Sequence, residues 1–236
     1  MHLRRLTISA MLVISATAAA QNRVAADVEV KTVMDGKSTT QKSQLFCTST
    51  GDIIQVYEGN PGYYALTNLQ GEFRAYFPAS NEVYTDRKDD YSTKDDVFYL
   101  FLSVKSDDMG LASYGYRLSG SVMEDGLLKR TYVPDKTSAA KGVSKVEIVL
   151  ENYLPIYIGY YNDKGALVSK TYLSSFARYK NVMLPCRITS IAYTAKKDST
   201  ITRTLYSNIR VDGNESMFRF RIPENARTLK APKTQK

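Results

Sequence analysis

The chain has 236 residues, 43% of them hydrophobic and 24% charged, the balance of a folded protein with a core. Lysine and arginine total 32 against 24 acidic residues, and the single histidine is His2, inside a leader-like segment. Once that segment is removed no histidine remains, which excludes Ser-His-Asp and Cys-His nucleophiles and the usual zinc ligand sets.

Residues 1–20 carry the pattern of a cleaved export signal. Arg4 and Arg5 form the positive start, Leu6 to Ile14 an apolar stretch, and Ala18, Ala19 and Ala20 the small residues at the cleavage point. The apolar stretch is too short to span a membrane, and no Cys sits at the cleavage point to take a lipid anchor. The mature chain is expected from about Gln21. Losing Arg4 and Arg5 leaves 30 basic against 24 acidic residues, a net +6. In an exported protein this excess favours an anionic surface or acidic partner over nucleic acid, or simply keeps the chain soluble.

Period-two alternation then recurs along most of the chain. Strands are expected at Val28–Val33, Ser43–Cys47, Asp52–Tyr57, Tyr63–Thr67, Glu72–Phe77 and Asn81–Tyr84. After a break come Gly115–Met123, Leu127–Val133, Ser144–Leu150, Ile156–Tyr161, Ala166–Phe176, Cys186–Thr194, Thr200–Val211 and Met217–Ile222. Short turns such as Asp35-Gly36, Gln70-Gly71 and Asp125-Gly126 join neighbours as antiparallel hairpins. No long helical crossovers are available for a parallel sheet. Residues 21–26 are expected to be loose, as is the polar, basic end after Pro223.

One segment breaks the rhythm. Ser92 or Thr93 suits a helix N-cap, Asp95 and Asp96 suit the positive helix end, and Val97, Leu100, Phe101 and Val104 share a helical face. A helix over Val97–Met109 is expected. The acidic run Asp86 to Asp96 lacks the central Gly and terminal Glu of a calcium loop. Cys47 and Cys186, the only cysteines, either pair across a long loop or stay as two separate thiols, and their spacing does not decide.

A sheet of a dozen or so strands tends to curl, and a curled sheet offers a concave face on which the helix can lie. Several stretches resemble the periplasmic lipoprotein-carrier family (LolA-like). They are Gly71–Pro78 followed by Asn81–Asp86, then Lys145–Glu151 with Leu154–Tyr157 and Asp163-Lys164-Gly165, and above all Tyr206–Asp212 followed by Met217–Pro223. The resemblance spans most of the mature chain. It implies a mainly β (α+β) fold: a large curved antiparallel sheet forming an incomplete β-barrel, its concave face covered by a helix. It further implies one domain over residues 21–227 with a basic tail at 228–236, a periplasmic monomer, no cofactor and no enzymatic activity. The implied partners are acyl chains of lipoproteins or other lipids, and membrane-bound lipoprotein release and acceptor proteins. Two departures stand out: family members usually begin with an amphipathic helix, for which 22–40 is poorly suited, and Trp is absent.

Carried over by position, the resemblance makes Phe73, Phe77, Phe98, Phe101, Leu102, Ile158 and Phe220 candidates for lining an acyl cavity. The residues by themselves favour plain core, since alternating Phe is the ordinary pattern of a buried strand face, and only the resemblance brings cavity lining level with it. Ile156–Tyr161 is apolar on both faces, as under a lid. The alternative to a carrier is a lipid or protein sensor, or a structural binding module, on the same fold. A carboxylate glycosidase needs only two acids, such as Glu147 and Glu151, but no Trp offers a sugar platform.

Overall fold

In a computed structural model, residues 23–60, 62–135, 142–194 and 198–229 are described; the expected export signal and most of the 228–236 tail lie outside them. The chain forms strands β1 (Arg23–Met34), β2 (Lys37–Thr48), β3 (Ile53–Tyr57), β4 (Tyr63–Thr67), β5 (Glu72–Phe77) and β6 (Glu82–Arg87), then helix α1 (Val97–Leu102). There follow β7 (Tyr116–Glu124), β8 (Leu127–Pro134), β9 (Lys145–Glu151), β10 (Leu154–Tyr161), β11 (Leu167–Tyr179), β12 (Val182–Tyr193), β13 (Ser199–Val211) and β14 (Arg227–Thr228).

All join one unclosed, curved sheet in the order β14-β6-β5-β4-β3-β2-β1-β13-β12-β11-β10-β9-β8-β7. Two antiparallel meanders, β1–β6 and β7–β13, are sewn together where β13 returns to β1. The turns work as their chemistry requires. Asp35 and Gly36 both take positive φ between β1 and β2, and Asp125 and Gly126 do so between β7 and β8, which matches the twist of the flanking strands. Strand β1 begins at Arg23 with Val24, Ala25 and Ala26 buried, so this stretch is not loose: its small apolar side chains sit in the middle of the sheet.

The core lies on the face that carries α1, called inner here. Val24 and Val28 of β1, Leu45 of β2, Ile148 of β9 and Leu184 of β12 form one cluster with the helix. The helix reaches from β2 to β12 across the centre of the sheet, with Phe98 against Tyr206 at 4.5 Å and Phe101 against Phe176 at 6.0 Å.

That helix is six residues long rather than the thirteen expected. Val104 turns to φ +58 and is 86% exposed, while the Lys105 N–H returns to the Leu100 carbonyl at 2.8 Å. Two acids at a helix C-terminus oppose the dipole. Asp108 instead accepts from the Gly110 and Ala112 N–H groups at 2.9 and 3.2 Å, opening the next turn. Gly110 is needed there, at φ +75 with a Cβ that would press on Leu100 and the Lys94 carbonyl at 3.1 Å. The N-cap also differs. Asp96 caps α1, accepting from the Tyr99 N–H at 3.1 Å, while Ser92 caps a preceding single turn and Thr93 donates to the Gly51 carbonyl at 2.6 Å.

The expected strand Met217–Ile222 does not form. Both sides of β13 are already taken by β1 and β12, so the chain leaves the sheet in a single turn at Ser216–Arg219. It then straps across the outer face. Phe218 packs on Phe46 at 5.6 Å, and Phe220 packs on Tyr64 and Tyr76 at 5.1 and 5.8 Å. The strap ends by pairing: β14 runs parallel to β6, and the Leu229 N–H reaches the Val83 carbonyl at 2.7 Å. The end after Pro223 is therefore tied down as far as Leu229.

A candidate apolar site between strands β2 to β5 and the segment before the helix

Pairing registers sort the first wing into two faces. Cys47–Ile53–Thr67–Phe73 and Leu45–Gln55–Ala65–Ala75 are cross-strand rows on the inner face. Phe46–Ile54–Leu66–Arg74 is the adjacent row on the outer face. On the inner face Ala65 leaves a hollow, because a methyl group stands there while neighbouring rows carry Tyr57 and Phe73. The segment Asp89–Asp96 roofs it, with Tyr91 against Phe73 at 5.0 Å. Gly71 lets the roof come down: at φ +71, any Cβ there would strike the Lys88 carbonyl oxygen.

The result is a cavity of about 360 Å³ on the outer face and another of about 300 Å³ on the inner face. The inner one has Leu45, Ile53, Ala65 and Phe73 on its floor, with polar Gln55 and Thr67 between them and Tyr57 at its side. Asp90, Asp95 and Asp96 stand on its roof side. Burial, reinforced by the charge of Asp95 and opposed by the Tyr99 and Phe98 N–H groups, pushes the Asp96 carboxyl up to about 6. Burial and neighbouring Tyr63 push the Tyr57 hydroxyl up to about 12. Among the described residues no three His, Cys, Asp or Glu side chains gather as a metal would need, and no helix is long and apolar enough to cross a membrane.

The candidate lining residues separate into four places. Phe73 lines the hollow. Phe77 shares the inner face one row away, against Tyr63 at 5.8 Å. Phe98, Phe101, Leu102 and Ile158 are 1, 8, 4 and 4% exposed, packed in the core with α1. Phe220 lies on the opposite face, under the strap, because its segment never enters the sheet. Sequence reading missed Ala65, the small residue that pairs with Ala75 across β4 and β5. The available signal was a small residue at the same inward position of two adjoining strands.

The cysteines are not bonded. Cys47 and Cys186 are free thiols on β2 and β12, the first buried in the core and the second 3.5 Å from the Tyr179 hydroxyl. Burial, then the charges of Asp96 and Asp52, raises the Cys47 thiol far from its reactive form. The outward tyrosines of β10 are not under a lid either. Tyr161 donates to Glu147 at 2.8 Å and Tyr157 packs on Tyr172 at 5.3 Å, a ladder across strands. Burial disfavours the Glu147 carboxylate, but hydrogen bonds from Lys145 and Tyr161 outweigh it and hold its pKa below the usual value.

No protein-family model and no curated protein sequence matches the chain. Solved structures do. A LolA superfamily protein of Nitrosomonas europaea superposes with a TM-score of 0.55 at 13% identity, covering 84% of this chain and 90% of that one. The fold is LolA-like. A DUF1329 family protein of Desulfovibrio piger follows at 0.54 and 18% identity, covering 85% and 90%. A Vibrio parahaemolyticus domain named for outer membrane lipoprotein sorting gives 0.53 and 16%, covering 83% and 88%.

Proposed function

We propose that the protein is an exported periplasmic binding protein whose inner face holds acyl chains, and that it carries or chaperones lipoproteins toward the outer membrane. The observation that carries this reading is the hollow over Ala65, floored mainly by apolar side chains and roofed by a segment with no strand pairing of its own. The LolA-like fold and the lipoprotein-sorting name of one neighbour support it. Membrane-bound release and acceptor proteins would be its partners, and the chain would work as a monomer.

The energetics fit a grip without directional bonds. Burying about eight methylenes gains roughly 6 kcal/mol gross, and association itself costs several kcal/mol of that. A chain confined to the hollow therefore binds weakly. Tight binding needs the roof, and then α1, to give way so that more of the chain is buried where Phe98 and Leu100 now pack. The small volume at rest favours a second reading, a lipid sensor on the same fold that binds a short chain without ferrying it.

Titration with a fluorescent fatty acid tests the reading. Phe73→Asp puts a charge in the floor and Ala65→Phe fills the hollow. Both are expected to weaken uptake by tenfold or more, about 1.4 kcal/mol, while circular dichroism stays that of the parent. Unchanged uptake in both variants would remove the hollow as the site.

A further inference from the structure

We propose that the outer face carries a second lipid site, a trough beside the C-terminal strap that takes a single-chain fatty acid with its carboxylate held by Arg74 and Arg221. The trough measures about 360 Å³, within the range of small-ligand sites. Its floor is the row Phe46–Ile54–Leu66, and its wall is Phe218, Phe220 and Ile222 of the strap. This is the reverse side of the strands that floor the inner hollow, so the two sites are separated by the thickness of the sheet.

The polarity of the trough sets the ligand. Phe218 lies at the β2 end, against Phe46, and Phe220 lies over β4 and β5, against Tyr64 and Tyr76. Arg221 follows Phe220 and Arg74 is on β5, so both guanidiniums stand at the β5 end and the apolar row runs away from them. Arg221 spends one N–H on the Phe220 carbonyl at 2.8 Å and has no carboxylate partner among the described residues. Arg74 shares Glu72 at 3.5 Å and remains half exposed. Two acids also line the trough, and each already has a partner. Asp52 accepts from the Thr50 hydroxyl at 3.0 Å, and Glu72 accepts from the Asn68 amide at 3.0 Å. At the far end Arg23 stands 5.4 Å over the Phe218 ring without lining the trough, and Glu215 pairs with Arg210 at 2.7 Å. Of the two cations that line the trough, Arg221 is the one without a carboxylate partner among the described residues and is left to take an anionic head. One apolar row and one wall accommodate one chain, which favours a fatty acid over a two-chain phospholipid.

The roofs of the two sites are different segments of chain, and that makes the test selective. The full-length protein is photolabelled with diazirine-bearing dodecanoate and the labelled peptides are mapped by mass spectrometry. Label on Met217–Ile222 is expected, in addition to any label on the Asp89–Asp96 roof of the inner hollow. Arg221→Ala, at an exposed position, and Arg74→Ala are each expected to cut strap labelling about tenfold, the loss of one charge-assisted contact, and to leave label on the inner roof unchanged. Phe73→Asp should do the reverse. Label confined to the inner roof would overturn the proposal, as would strap label indifferent to both arginine substitutions or equal strap label from the uncharged alcohol.

Discussion

The two wings of the sheet use their faces in opposite ways. In the C-terminal wing, β7 to β12, the inner face is packed beside α1: Tyr132, Val146 and Ile158 are buried in one cluster with Met109 and Leu111, while β7 beyond Tyr116 is exposed. Its outer face is left to solvent as a ladder of tyrosine and lysine, with Lys170 5.5 Å over Tyr172 and 6.0 Å from Tyr193. In the N-terminal wing, β2 to β6, the inner face keeps a hollow, and the outer face is crossed by the strap. The difference follows from supply. One six-residue helix cannot cover fourteen strands, so elsewhere a face is either left to solvent or roofed by unpaired chain. Room for a ligand appears where such a roof crosses small residues.

The most damaging way to test that contrast is through α1, which both wings share. Phe98→Ala should cost about 3–5 kcal/mol of stability, as for other fully buried aromatics, and hydrogen exchange should quicken in both wings together. Faster exchange in one wing alone would mean that the helix is not their common core.

Gly71→Ala comes next. A side chain at positive φ costs about 1–2 kcal/mol, and here it also strikes the backbone of the roof segment. Chemical denaturation should register the loss. Exchange should rise in Lys88–Asp96 and not in β9 to β12, since only the N-terminal wing depends on that roof. A uniform rise would contradict the separation of the wings.

The smallest effect concerns Asp96, which faces Asp95 on its own turn and Cys47 and Tyr206 across the core, both of whose pKa values its charge helps to raise. Its carboxyl is harder to ionise in the folded chain than in the unfolded one. Raising the pH from about 4 to about 6 therefore removes stability that is fully present below that window. Asp96→Asn keeps a good N-cap and should flatten this part of the pH–stability curve. A variant that tracks the parent curve would show that Asp96 ionises freely.

Much of this was legible from residue order. The strands Tyr63–Thr67 and Glu72–Phe77 were readable to the residue because alternation and flanking Gly and Asn act locally. Phe73 was readable as an inward residue for the same reason. The helix end was not, because apolar Val104 continues the helical face on paper while the charges after it stop the helix in space. Phe218 and Phe220 carry the strand pattern as well as Phe73 and Phe77 do. What diverts them is that β13 has no free edge, a fact of topology that no local pattern contains. The strap, and with it the outer trough, was invisible for that reason.

The central claim is that the inner hollow of the N-terminal wing holds an acyl chain. The most direct measurement is native mass spectrometry of the protein purified without detergent, followed by solvent extraction, with Ala65→Phe run in parallel. The account predicts a mass excess on the parent that extracts as fatty acid, phospholipid or acylated peptide and is lost or greatly reduced in Ala65→Phe. A parent that flies at its bare mass and takes up no added fatty acid would contradict it.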